Sequence, residues 1–147
     1  MKSNAIFIYL ILGTIFSAGC QNNKPKSEMQ AVKNKFLDIA YANQSPAQKM
    51  DIYLPESIPQ LLPVIINVHG GAFLMGDKTD GMNLNPMALA LKRGYAFVAI
   101  NYRLSGEAIF PAQINDVKAA IRFIRANAAK YNFNPNKIAV WGRVDWF

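Results

Sequence analysis

The chain has 147 residues, of which 52% are hydrophobic, 12% aromatic and 17% charged, a composition that excludes a disordered or low-complexity polymer and calls for a buried core. That length allows one domain at most. Lys and Arg exceed Asp and Glu by 16 to 9, a formal net charge of +7, but the cations are scattered and form no stripe of the kind that binds nucleic acid.

Lys2 precedes the apolar run from Ala5 to Leu12, and the small residues Ser17-Ala18-Gly19 stand directly before Cys20, the single cysteine. A charged start, a short apolar centre and a small-residue cleavage site predict a secretory signal peptide over residues 1–19. The stretch is short for a membrane span, which takes about 20 apolar residues. Ser17-Ala18-Gly19-Cys20 resembles a bacterial lipobox, with Ser17 where leucine is commoner. The resemblance implies lipidation of Cys20 and an exported lipoprotein of the bacterial cell envelope, held on a membrane by its acyl chains. Residues 20–34 read as a polar tether. A lone cysteine permits neither an internal disulfide nor a multi-cysteine metal site.

Lys35–Ala42 and Lys49–Pro55 alternate apolar with polar residues around the turn cluster Asn43-Gln44-Ser45-Pro46, predicting a hairpin with one wet face. Pro63–Val68, Tyr95–Asn101 and Lys137–Trp141 are short, nearly continuous apolar runs, predicting strands buried on both faces. Between the first two, Leu84, Met87, Ala88 and Leu91 predict a helix over Asn83–Arg93 that stops at Gly94. Between the second and third, Pro111–Tyr131 predicts a helix with a stripe of Ile114, Val117, Ile121, Ile124 and Ala128. Its Lys118, Arg122 and Arg125 form the solvated face. A hairpin followed by strand, helix, strand, helix, strand predicts an α/β fold with a mostly parallel sheet.

His69-Gly70-Gly71-Ala72-Phe73 follows the first buried strand. Adjacent glycines let the backbone turn sharply and bring N–H groups close to a ligand, where such donors can hold charge developing on a carbonyl oxygen. In company with KMDIYLP, GDK, NYRLS, FPAQINDVKAAIRFI and NPNKIAVWGR, in that order from about Asp38 to Arg143, this segment resembles the α/β-hydrolases. It is most similar to the hormone-sensitive-lipase-like carboxylesterases and the bacterial feruloyl and acetyl-xylan esterases. The resemblance implies that residues 35–147 are the N-terminal part of an α/β-hydrolase domain, incomplete. It further implies that Gly71 and Ala72 supply oxyanion N–H groups, that His69 and Gly70 shape the loop, and that Asp77, Arg103 and Asp116 are structural hydrogen-bonding groups.

In that family the strand matching KIAVW leads into G-x-S-x-G, whose serine attacks the ester. Here Val144 occupies the nucleophile position, and a valine side chain has no atom with which to form an acyl-enzyme. The later aspartate and histidine of the family have no counterpart in the sequence. The chain is therefore expected to be a truncated, inactive form, and its last residues, Val144 to Phe147, match a one-base shift of a Ser-Thr-Gly continuation. The resemblance implies a carboxylic ester hydrolase acting on small-molecule or carbohydrate-borne esters, with no cofactor, no metal and no nucleic-acid partner. A membrane-tethered, non-catalytic binding scaffold and an amidase or peptidase of the same superfamily are the alternatives.

Overall fold

The computed structural model describes residue 29 and residues 31–142. The signal reading, Cys20 and Val144 lie outside the described residues; of residues 20–34, read as a polar tether, residue 29 and residues 31–34 are described, and Met29 is buried in a core cluster with Val32 packed against it. Five strands form one sheet in the order β1-β2-β4-β3-β5.

β1 (Lys35–Ala40) and β2 (Lys49–Tyr53) are the expected hairpin. Side chains close its turn: Gln48 Oε1 accepts the N–H groups of Gln44 and Ser45 at 2.9 and 3.1 Å, and Ser45 Oγ accepts that of Ala47 at 3.0 Å. Exposure is not shared as the alternation predicted. β2 lies between β1 and β4 with Met50 and Ile52 in one core cluster and Tyr53 in the other, so the wet residues belong to β1. A bulge between Phe36 and Ile39 breaks the β1 register, and Asp38 within it takes a left-handed backbone, φ 54°.

β3 (Leu62–Val68) runs parallel to both β4 (Ala96–Ile100) and β5 (Phe133–Gly142). Pro63 cannot donate to the ladder, and the β3–β5 register shifts between Leu62 and Val64. Every residue of β4 is buried. Its side chains alternate between two cores, as the pleat requires. Ala96, Val98 and Ile100 face a cluster with Ile52, Ile66, Ala120 and Ile124, whereas Phe97 and Ala99 face Met29, Tyr53, Met87 and Ala90.

Each cluster has its helix. α1 (Leu84–Lys92) connects β3 to β4 and buries Met87 and Ala90. α2 (Ala112–Ala126) connects β4 onward to β5 and buries Gln113, Asp116, Ala120 and Ile124. The first connection moves one way across the sheet and the second moves back over β3, so right-handed crossovers place the helices on opposite faces.

Two expectations fail here. The buried stripe of α2 is rotated from the predicted one: Ile114 is exposed, Val117 and Ile121 are half-buried, and Gln113 and Asp116 lie inside because both find polar partners. The helix also breaks at Asn127, resumes as a single turn, α3 (Ala128–Tyr131), and reverses at Asn132, φ 59°. Lys137–Trp141, expected to be buried on both faces, is largely exposed, with Val140 at 48% and Trp141 at 50%. Among the described residues only β3 pairs with that strand, so its other edge is open.

Candidate active site

Parallel strands deliver their following loops to one end of a sheet, where ligands of open α/β folds gather. The loop after β3, His69–Gly76, and the segment after β4, Asn101–Pro111, meet there. Gly71, Ala72 and Phe73 take positive φ values of 110°, 51° and 63° in succession. This curl brings the N–H groups of Leu74 and Met75 back onto Gly71 O at 2.8 and 3.2 Å. Among the described residues, no acceptor of the chain pairs with the N–H of Gly71 or of Ala72. Glycine is required at 71, since a Cβ would stand 2.2 Å from Met75 O. Two unclaimed donors on adjacent residues can receive an oxygen that gains negative charge.

His69 is 5% exposed. Its Nδ1–H donates to Gly70 O at 2.8 Å, and its ring stacks on Tyr102 with centroids 4.4 Å apart and planes inclined by 13°. The Tyr102 hydroxyl donates to His69 O at 3.0 Å, and Phe73 meets the same ring edge-on at 6.1 Å. Ser105 N–H donates to Phe73 O at 2.8 Å. Gly76, φ 110°, packs against His69: a Cβ there would lie 2.3 Å from Nδ1 and 2.5 Å from Gly70 O. The loop is thus clamped from the β4 side by Tyr102 and Ser105, and from its own end by Gly76. Beside it lies a cavity of about 280 Å³ lined by Asn67, His69, Gly70, Asp80, Asn83 and Trp141.

The segment after Gly76 is staked into the sheet. The Lys78 ammonium, on a side chain 8% exposed, reaches Asp51 Oδ2 at 2.8 Å and Asp38 Oδ1 at 3.0 Å. Burial alone would lower the lysine pKa, but the two carboxylates outweigh it and hold the pKa above its ordinary value. Asp51 also accepts the Asp38 N–H at 2.8 Å, which uses the β1 bulge. Asn101 accepts the Lys78 N–H at 2.6 Å and donates to Asp77 Oδ2 at 2.8 Å. Thr79 donates both its N–H and its hydroxyl to Asp77 Oδ1, at 2.8 and 2.6 Å. Burial pushes the Asp77 pKa up, and these donors overcome it, leaving the carboxyl below its ordinary value.

The β4 exit is fixed in the same manner. Arg103 grips Asp116 with two parallel bonds, Nε to Oδ2 at 2.9 Å and Nη2 to Oδ1 at 2.7 Å, and adds its backbone N–H at 3.0 Å. Gln48 Nε2 supplies a fourth donor at 2.6 Å. Burial raises the Asp116 pKa, but Arg103 and Gln48 more than offset it, so the carboxylate titrates below its ordinary range. With their hydrogen-bonding capacity spent on the scaffold, Asp77, Arg103 and Asp116 hold loops in place.

Composition and periodicity gave no sign of the Lys78–Asp51–Asp38 cluster, of Tyr102 as a clamp or of Gly76 as a packing requirement. GDK and NYRLS contain three of those residues, but only the fold brings them together. Among the described residues, no group of three or more His, Cys, Asp or Glu is placed to hold a metal ion, and no helix is long and apolar enough to cross a membrane.

Residues 50–144 match the BD-FAE family. The carboxylesterase NlhH of Mycobacterium tuberculosis is 36% identical over 91 residues, covering 62% of this chain and 28% of the relative. Isoprenylcysteine alpha-carbonyl methylesterase of Arabidopsis thaliana is 31% identical over 105 residues, covering 71% of this chain and 24% of the relative. Among solved structures, a truncated form of a carbohydrate esterase from gut microbiota superposes with a TM-score of 0.70 at 40% identity, over 76% of this chain and 39% of that one. A bifunctional GH43-CE protein of Bacteroides eggerthii gives 0.67 at 44% identity, over 74% and 14%. The chain spans about a quarter of the length of the curated relatives it matches. With its strand order, its crossover helices and the match over residues 50–144, the chain belongs to the BD-FAE family, within the α/β-hydrolase esterases.

Proposed function

We propose that this chain supplies the oxyanion-holding wall of a carboxylic ester hydrolase that removes acyl groups from carbohydrate-borne or small-molecule esters. The observation that carries the reading is the pair of unclaimed N–H groups at Gly71 and Ala72, on a loop clamped by Tyr102 and Gly76. In acyl transfer the carbonyl oxygen becomes negative as the nucleophile adds, and fixed donors lower the barrier without reorganising. The 40% and 44% identities to a carbohydrate esterase and to a GH43-CE protein support a carbohydrate-borne substrate. Attack on the carbonyl needs a serine or an equivalent at position 144, and Val144 cannot supply it. The chain by itself therefore forms no acyl-enzyme, and the full reaction needs a nucleophile-bearing segment. Lipidation at Cys20 would place the reaction at a membrane surface of the cell envelope.

The test joins residues 20–142 to the carboxyl-terminal part of the gut-microbiota carbohydrate esterase and follows hydrolysis of 4-nitrophenyl acetate. Turnover by the chimera, with none by the 147-residue chain, is the expected result. A folded chimera that is inert toward short acyl esters, or covalent acylation of the chain ending at Phe147, would overturn the proposal.

A further inference from the structure

The end of the sheet opposite the oxyanion loop carries a second concavity. β3, β4 and β5 run parallel, so the segments that enter them share one end, just as the segments that leave them share the other. Those entries are residues 57–61 ahead of β3, residues 93–95 ahead of β4, and the first half of β5, with Asn134 and Lys137. They enclose a cavity of about 530 Å³ whose polar lining includes Ser57, Gln60, Arg93, Tyr95, Asn134 and Lys137. That volume lies inside the range of about 300–1,000 Å³ usual for small-ligand sites. With β3 rising about 3.3 Å per residue, the cavity sits roughly 20 Å from the loop after Val68.

The chemistry of the lining is asymmetric. It holds two cations and no carboxylate, and among the described residues neither Arg93 nor Lys137 has an ion-pair partner. Elsewhere three buried or half-buried cation–carboxylate contacts are closed, at Lys78 and Arg103. Tyr95 is 36% exposed and offers an aromatic face, while Ser57, Gln60 and Asn134 can each both donate and accept hydrogen bonds. Gly94, φ 78°, has no heavy atom within 4 Å of where a Cβ would stand, so the turn between Arg93 and Tyr95 is left open. An aromatic plane, hydroxyl and amide groups and two unpaired cations together suit a ring that bears hydroxyls and a carboxylate.

We propose that this cavity is a second, non-catalytic binding site for an acidic saccharide, a uronate-bearing unit whose carboxylate pairs with Arg93 and Lys137 while its ring lies on Tyr95. The site would hold a carbohydrate chain at the end of the sheet remote from the oxyanion loop. That the ligand is a saccharide rests on the carbohydrate-ester reading above; the capture of an anion there does not.

The test titrates the 147-residue chain, at low ionic strength, with a glucuronate-bearing disaccharide, a neutral disaccharide of the same size and inorganic phosphate, following the amide signals of residues 93–95 and 134–137. The acidic disaccharide is expected to bind at least about tenfold more tightly than either of the others. Arg93→Gln and Lys137→Gln should each weaken it about tenfold, the loss expected of one charge-assisted hydrogen bond. Both substitutions lie on the surface and leave the core intact, and the unchanged amide spectrum elsewhere verifies folding. Phosphate binding as tightly as the acidic disaccharide would overturn the saccharide assignment. No binding, or binding untouched by both substitutions, would overturn the site. Failure of the ester reading appears separately, as an inert chimera, because the titration involves no hydrolysis.

Discussion

Gly76→Ala is the sharpest probe of how the loop after β3 is held. The residue has φ 110°, a conformation that costs a side-chain-bearing residue about 1–3 kcal/mol. The new Cβ would also stand 2.3 Å from His69 Nδ1 and 2.5 Å from Gly70 O. The second contact is backbone, so a rotamer change cannot relieve it and the loop itself must shift; overpacking of this kind costs about 1–3 kcal/mol. The expected loss is about 2–6 kcal/mol, a large part of the roughly 5–15 kcal/mol that holds a typical domain together. Two other glycines separate the contributions. Gly94→Ala meets the strain of φ 78° but no neighbour within 4 Å, and should cost about 1–2 kcal/mol. Gly106→Ala meets neither and should stay within about 1 kcal/mol of wild type. Urea unfolding of the three variants, with the amide signals of Gly71 and Ala72 as local reporters, measures both effects. If Gly76→Ala were no more destabilising than Gly94→Ala and left those two signals in place, the clamp on His69 would be refuted.

Asp116→Asn should cost about 3 kcal/mol at neutral pH by breaking the bidentate pair with Arg103, read as a shift in the urea midpoint. Because the folded-state pKa of Asp116 lies below its unfolded value, its contribution is complete above about pH 4 and disappears as the pH falls through the folded pKa; an acid titration should lose that step in the Asn variant. Lys78→Ala leaves Asp51 charged and buried with its ammonium partner gone, and should destabilise by about 3–5 kcal/mol, far more than Lys33→Ala at the exposed pair with Glu56. Cys20→Ser should move the expressed protein from the membrane fraction to the soluble fraction, and the loss of the acyl mass on the amino-terminal peptide checks the cause.

The sequence made the sheet legible wherever local pattern and burial coincide. The run PVIINV forms a buried to half-buried strand, and within YAFVAI the stretch Ala96–Ile100 is enclosed on both faces because a core cluster lies on each side of it. KIAVW carries the same pattern with a different outcome: it forms its strand at the edge of the described sheet, yet Val140 and Trp141 remain exposed. Periodicity also misplaced the inner face of α2, since it ranks Ile114 above Asp116, and only the arrival of Arg103 and Gln48 makes a carboxylate the better buried residue. The HGG segment announced the loop, but not what braces it. Asp38 points toward Lys78 because of a one-residue irregularity in β1, and Tyr102 reaches His69 across 33 positions, so neither contact leaves a trace in neighbouring residues.

The bracing of His69 by Tyr102 and of Lys78 by Asp51 and Asp38 gives the cradle an independence that its chemistry does not require. The struts that touch the loop and the segment after it come from positions 38 to 105, and Asp116 adds the hold on Arg103 beside Tyr102. A loop braced in this way can tolerate change in the segments around it while the curl at Gly71, Ala72 and Phe73 keeps its shape.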